Sequence, residues 1–184
     1  MNNIDLIAKA QQGDQAAYGK LMKLYYRTVE KFAYQCGVRL DDIPDVTQEV
    51  FIKLHRFLHQ FNQERFTTWL YKITLNTARD YYRKENRERD KKQKVGNDTQ
   101  MTVQHSVEAQ VLLFEEDREL HVAIMQLDEK YRLPLILYYF QDLSYQQIAD
   151  VLNITLSVVK TRLHRAKDSL KKAMDNNGGV RHGE

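Results

Sequence analysis

The stretch from Ser144 to Lys172 constrains this chain more than any other. Ser144 with Gln147 three residues on forms a capping box, which starts a helix. Ile148, Ala149 and Leu152 give that helix one apolar face. Asn153, a residue that tolerates the left-handed backbone of a sharp turn, follows, and Ile154 closes the turn. Val159, Leu163, Ala166 and Leu170 then recur at steps of four, three and four, the period of a second helix. Its other faces carry Lys160, Thr161, Arg162, His164, Arg165 and Lys167. Two short helices around a tight turn, the second of them basic, make a helix-turn-helix. Such a helix can bury one side and offer the other to the major groove of DNA.

Charge along the rest of the chain points the same way. The net charge of the 184 residues is only +3, so the whole-molecule balance says little. Between Tyr71 and Lys94, however, nine Lys or Arg stand against four Asp or Glu, a net of +5. Val158 to Lys172 has six against one, again +5, and the intervening His105 to Lys130 has two against seven, or −5. Two basic islands separated by an acidic stretch suggest two nucleic-acid contacts.

The remaining pattern predicts an all-α chain of two small bundles joined by a flexible linker. Seven Gly and two Pro are too few for a β-protein built on tight turns. A short helix is expected over Ile4 to Gln11, broken at Gly13-Asp14. Asp14 caps the next helix, from Gln15 to about Gly37. A third runs from about Pro44, tolerated in a first turn, to Gln60. Phe61 to Arg65 reads as a loop. A long helix then starts at Phe66 or Thr67 and ends near Arg89, with Trp69, Leu70, Ile73, Thr77, Ala78 and Tyr81 inside. Periodicity fails from Asp90 to Gln110, the expected linker. It resumes over 111–127 and again over 131–140, before the helix-turn-helix. The domains are thus expected at 1–89 and 111–175, with a disordered tail over 176–184. One cysteine, Cys36, excludes an internal disulfide and reads as a small buried hydrophobe. No apolar run approaches the ~18 residues of a membrane span, and no signal-peptide pattern opens the chain. His55 and His59 have metal-compatible spacing but no third ligand nearby, so they read as surface residues. No phosphate-cradling glycine loop, nucleophile elbow or catalytic dyad occurs, so neither a cofactor nor an enzymatic activity is expected.

Three ordered motifs in the first half carry a family resemblance. They are Asp45-Val46-Thr47-Gln48-Glu49-Val50-Phe51, Phe66-Thr67-Thr68-Trp69-Leu70-Tyr71-Lys72-Ile73, and Asn76-Thr77-Ala78-Arg79-Asp80-Tyr81-Tyr82-Arg83-Lys84. In the second half, Leu127 to Arg132, Leu143 to Ala149 and Val159 to Ala166 follow in the same order and spacing. Together they resemble the extracytoplasmic-function (ECF) sigma factors of bacterial RNA polymerase. Pro44 departs from that pattern, where the family usually has Ala-Glu before the Asp, and Thr47 is more polar than the aliphatic residue expected.

The resemblance implies a cytoplasmic promoter-specificity subunit. Asp45, Gln48 and Glu49, which share one helical face, would dock on the clamp helices of the core enzyme. Asn62, Gln63 and Arg65, with Lys72, Asn76, Arg79, Arg83 and Lys84 along the next helix, would capture and hold the unpaired −10 strand. Asn76 matches a base-contacting position, whereas Lys72, Arg83 and Lys84 suit phosphates. Phe66 and Trp69 read as core at their helical spacing; Tyr81 and Tyr82 stay open between core and stacking platform. Lys160, Thr161, His164 and Arg165 match groove-facing positions for the −35 duplex, with Arg162 and Lys167 on phosphates. Arg165 suits a guanine edge or a phosphate equally. A cognate anti-sigma factor, often membrane-bound in the family, is a further implied partner. The rival reading is a stand-alone helix-turn-helix regulator with an N-terminal dimerisation or sensing domain, which would bind a palindrome tightly without polymerase.

Overall fold

A computed structural model describes residues 3–62, 65–93 and 118–178. Those residues are helices and their connections, and the chain divides into two compact units, 1–103 and 104–184.

In the first unit, α1 (Asn3–Gln11) packs on α2 (Gln15–Gln35), α2 packs on α3 (Ile43–Phe57) and on α4 (Phe66–Gln93), and α3 packs on α4. Each boundary has a local cause. Asp14 accepts a hydrogen bond from the Ala17 amide at 2.9 Å and caps α2. Gly37, at φ 97°, ends it: the Gly37 amide bonds Tyr34 O at 2.8 Å and the Val38 amide bonds Ala33 O at 3.1 Å. That pair of bonds is the Schellman ending, which needs a left-handed residue. It stops α2 at Gln35, two residues before the Gly37 expected from periodicity. Pro44 sits in the first turn of α3, where its missing N–H costs no intrahelical bond. Leu58–Gln60 tighten into a 3₁₀ turn instead of finishing the helix.

The core of this unit is Leu21, Val29, Phe32, Val50, Leu54, Leu70, Leu75 and Ala78, all nearly sealed from water. The inner face of α4 runs through Phe66, Leu70, Tyr71, Thr74, Leu75 and Ala78; Trp69, Ile73 and Tyr81, expected inside, are only half-buried. Thr74 and Thr77 fit this face because their hydroxyls donate back to Leu70 O and Ile73 O, both at 2.8 Å. Thr47 lacks such a partner: its hydroxyl is fully buried and makes no hydrogen bond among the described residues. At the far end Tyr82 donates to Gly37 O, and Arg39 bridges Asp42 at 3.7 Å and Glu85 at 3.5 Å. Tyr81 bonds the Asp42 carboxylate, and its pKa is raised by burial and then by that bond. Both tyrosines therefore tie α4 to the α2–α3 connection. α4 also runs to Gln93, four residues past Arg89, because Asp90-Lys91-Lys92-Gln93 contains no Gly or Pro to stop it.

The second unit holds α5 (Arg118–Met125), α6 (Glu129–Tyr139), α7 (Tyr145–Leu152) and α8 (Leu156–Gly178), with α6, α7 and α5 packed on α8. Residues 111–117, expected to be helical, lie outside the described residues. Asp128 caps α6 through the Lys130 amide at 3.0 Å. Arg132 donates to Met125 O at 3.2 Å and Leu127 O at 3.1 Å, closing the end of α5. The capping box is formed: the Gln147 amide donates to Ser144 Oγ at 3.2 Å and the Ser144 amide to Gln147 Oε1 at 2.8 Å. Asn153 ends α7 at φ 54° and ψ 51°, the left-handed turn of the helix-turn-helix. Val159, Leu163 and Ala166 of α8 are buried with Ile148 and Leu152 of α7; burying each Val or Leu is worth about 1.5–3 kcal/mol. α8 continues through Asn176 and Asn177 to Gly178, so the tail expected to be disordered from Asn176 starts in helix. Asn is only a mild helix breaker, and the first strong one is the Gly178-Gly179 pair.

The left-handed turn gives a stability test. Asn153→Val is expected to cost about 1–2 kcal/mol, because a β-branched side chain meets its own backbone there. Asn153→Gly is expected to stay close to wild type. Urea midpoints monitored by helicity check this; equal tolerance of Val and Gly would show that the turn relaxes.

Candidate nucleic-acid interface

The expected polymerase-docking residues all reach solvent. Asp45, Gln48 and Glu49 are exposed on α3, while Val46, Thr47 and Val50 between them are buried. A groove of about 570 Å³ opens beside them between α2 and α3, its apolar floor made by Met22, Tyr26, Phe51 and Ile52. Tyr26 and Ile52 are 39% and 45% exposed, high for such large apolar groups. Tyr18, at the back of this groove, donates to Phe51 O at 2.5 Å. Burial pushes its phenol up to about 12, so it stays a neutral donor. His55 is exposed and meets the Tyr18 ring edge-on at 4.8 Å. The groove is formed by side chains from two helices, so spacing within either segment gave no sign of it.

The second group lies on α4 and the loop before it. Asn62 and Arg65 are exposed at the loop; Gln63 lies outside the described residues. From Arg65 onward, Trp69, Lys72, Asn76, Arg79 and Arg83 follow at steps of four, three, four, three and four, which places them on one outer stripe of the helix. Lys84 is exposed but sits ~100° round the helix from Arg83, off that stripe. Arg83 faces Asp80 at 3.7 Å, and Lys53 of α3 reaches the same carboxylate at 3.2 Å. Such exposed pairs are worth little and open readily for a phosphate. Trp69, read as core, instead rests half-exposed on Phe61 (5.1 Å between centroids) and Phe66 (6.0 Å). A cavity of about 510 Å³ lies where Asn62, Arg65, Phe61 and Phe66 meet Tyr25 and the helix α1.

The third group occupies α8. Lys160, Thr161, His164 and Arg165 are exposed. The Thr161 hydroxyl donates back to Ser157 O at 3.1 Å. His164 Nδ1 lies 3.3 Å from the Asp168 carboxylate, one turn on. Arg162 is half-buried on the opposite flank. Lys167 is turned toward α6: its ammonium lies 5.5 Å from the centre of the Tyr139 ring. A hydrogen bond to the Tyr139 hydroxyl raises its pKa. Tyr138, Tyr139 and Tyr145 form an aromatic cluster at that flank, with centroids 4.9 and 5.2 Å apart. Among the described residues no group of three His, Cys, Asp or Glu converges as a metal site, and no helix is long and apolar enough to cross a membrane.

Comparison with known proteins agrees with this division. The model for sigma-70 region 2 matches residues 21–88, and that for sigma-70 region 4 matches residues 117–170. The chain is 30% identical to the ECF RNA polymerase sigma-E factor of Haemophilus influenzae, over 90% of this chain and 92% of that relative. It is 28% identical to the ECF RNA polymerase sigma factor SigW of Bacillus subtilis, over 91% and 94%. Among solved structures, the sigma factor RpoE of Bartonella quintana, in complex with the anti-sigma factor NepR, is similar in fold. Its TM-score is 0.67 at 19% identity, covering 86% of this chain and 96% of that one. Neither kind of comparison supports a stand-alone regulator. Two ordered sigma regions and a relative matched over nearly its whole length leave one conclusion: the chain belongs to the ECF RNA polymerase sigma factors, and is a transcription initiation factor.

Proposed function

We propose that the two units divide promoter recognition between them. Residues 1–89 bind core polymerase through Asp45, Gln48 and Glu49, with the adjoining apolar groove as a second contact, and then take up the unpaired −10 strand. Residues 111–175 read the −35 duplex, with Lys160, Thr161, His164 and Arg165 toward the groove and Arg162 on a flanking phosphate. Lys167, held by Tyr139, is the weaker phosphate contact. The linker, from the end of α4 to residue 110, follows the polymerase toward the RNA exit path. The protein acts in the cytoplasm, where its polymerase is, and makes no bonds itself. A cognate anti-sigma factor holds it inactive, a class of partner with which RpoE of Bartonella quintana, similar in fold, forms a complex.

The observation that carries this reading is the stripe from Arg65 to Arg83, which begins at a cavity rimmed by Asn62, Arg65 and aromatic rings. Extruding one base costs a few kcal/mol, and stacking on an aromatic returns about 1–3 kcal/mol. One pocket therefore balances about one base, and further melting needs the strand to be held along α4 by Lys72, Asn76, Arg79 and Arg83, with Lys84 beside them.

Run-off transcription with purified core polymerase on genomic fragments tests the whole reading; start sites that depend on this protein are expected. In the same system Asn76→Ala should slow open-complex formation about tenfold, the worth of one or two hydrogen bonds to a base, with core affinity unchanged. Equal loss of both would remove Asn76 from the −10 contact.

A further inference from the structure

Past the end of α3 the chain turns through Leu58–Gln60, where the Phe61 amide donates to Leu58 O at 3.0 Å, and leaves extended at Phe61, φ −68°. A side chain of α1 ties down both ends of this turn. Gln11 Nε2 donates to Leu58 O at 3.1 Å and to Phe61 O at 2.8 Å, across 47 and 50 residues. Phe61 is the last residue before Asn62, and its ring supports both Phe66 at 5.5 Å and Trp69 at 5.1 Å. Gln11 also lines the cavity that Asn62 and Arg65 rim.

We propose that Gln11 is a positioning residue for the −10 strand: by clamping two carbonyls it sets where Phe61 and Asn62 stand, and so shapes the pocket for the extruded base. The helix α1 thereby serves DNA recognition. This inference rests on the reading of Asn62 and Arg65 as base-capturing residues.

The test uses holoenzyme assembled from the full chain and core polymerase. The probe is the non-template strand of a promoter mapped by run-off transcription, intact or with one abasic nucleotide at each −10 position in turn. Wild type is expected to lose about five- to a hundredfold in affinity at the captured position. Gln11→Met keeps the side-chain length and removes both donors; Gln11→Glu sets a carboxylate against the two carbonyls. In both, the abasic penalty at that one position should shrink at least about threefold, a coupling in the sense of a double-mutant cycle. Penalties elsewhere, core affinity and binding of a −35 duplex probe should stay at wild-type values. An unchanged penalty, or a parallel fall in every readout, would overturn the proposal, the latter marking Gln11 as a stability contact only. If wild type itself shows no penalty at any position, or Asn62→Ala leaves it intact, the base-capture reading fails instead.

Discussion

Glu49→Lys is expected to abolish promoter-dependent transcription by removing core binding, with the fold and both DNA surfaces intact. Glu49 is exposed on α3 and makes no ion pair among the described residues, so reversing it costs the free protein little. Surface changes of this kind fall within about 0.5 kcal/mol, here with a small added repulsion from Lys53 one turn on. In the docked state the loss is of another order. A charge paired and desolvated at an interface costs about 2–5 kcal/mol when its partner is removed. That corresponds to between about thirtyfold and a few thousandfold in affinity. Asp45→Asn and Gln48→Ala should fall between wild type and this extreme. Asp45 also suits the N-terminal dipole of α3, so part of its effect will appear as stability. Titration of fluorescent protein with core polymerase, beside a thermal melt, separates the two. Wild-type affinity for Glu49→Lys would move the docking face elsewhere on the first unit.

The second large effect is expected at Arg165. It stands exposed on α8 with Thr161 and His164, clear of the buried Val159, Leu163 and Ala166. Arg165→Ala should weaken −35-dependent transcription by the 1–3 kcal/mol typical of a bidentate contact, or about five- to a hundredfold. Salt separates the two chemistries open to it. If Arg165 grips a guanine, the variant relaxes selectivity at one base pair. If it grips a phosphate, the variant binds all sequences more weakly alike, and its salt slope falls by about one. Lys160→Ala is the comparison for the phosphate pattern. If Arg165→Ala alters neither selectivity nor salt dependence, α8 does not enter the groove by this face.

Much of the framework was legible because it is local. The capping box at Ser144, the cap at Asp14, Pro44 in a first turn and the left-handed Asn153 each depend on residues within four positions. The exposure of Asp45, Gln48 and Glu49 followed from the helical period alone. Where expectation and structure part, packing has overridden period. Trp69 has the spacing of a core residue, yet the buried arc of α4 is centred on Leu70, Thr74 and Ala78, and leaves the indole at the rim. Helix ends differ for a related reason: with no Gly or Pro before Gly96 and Gly178, α4 and α8 run a few residues further than the apolar pattern does.

From its sequence alone this protein is an all-helical chain with a helix-turn-helix and two basic surfaces, because helices, caps and turns are decided over three or four residues. Only the tertiary structure decided which of those basic side chains stand free. Asp80 gathers Lys53 and Arg83, and Tyr139 turns Lys167 away from the exposed face of α8. It also joined Gln11 to Leu58 and Phe61, and Tyr82 to Gly37, across more than forty residues. Partners so far apart leave no periodic trace, since what brings them together is the burial of other side chains.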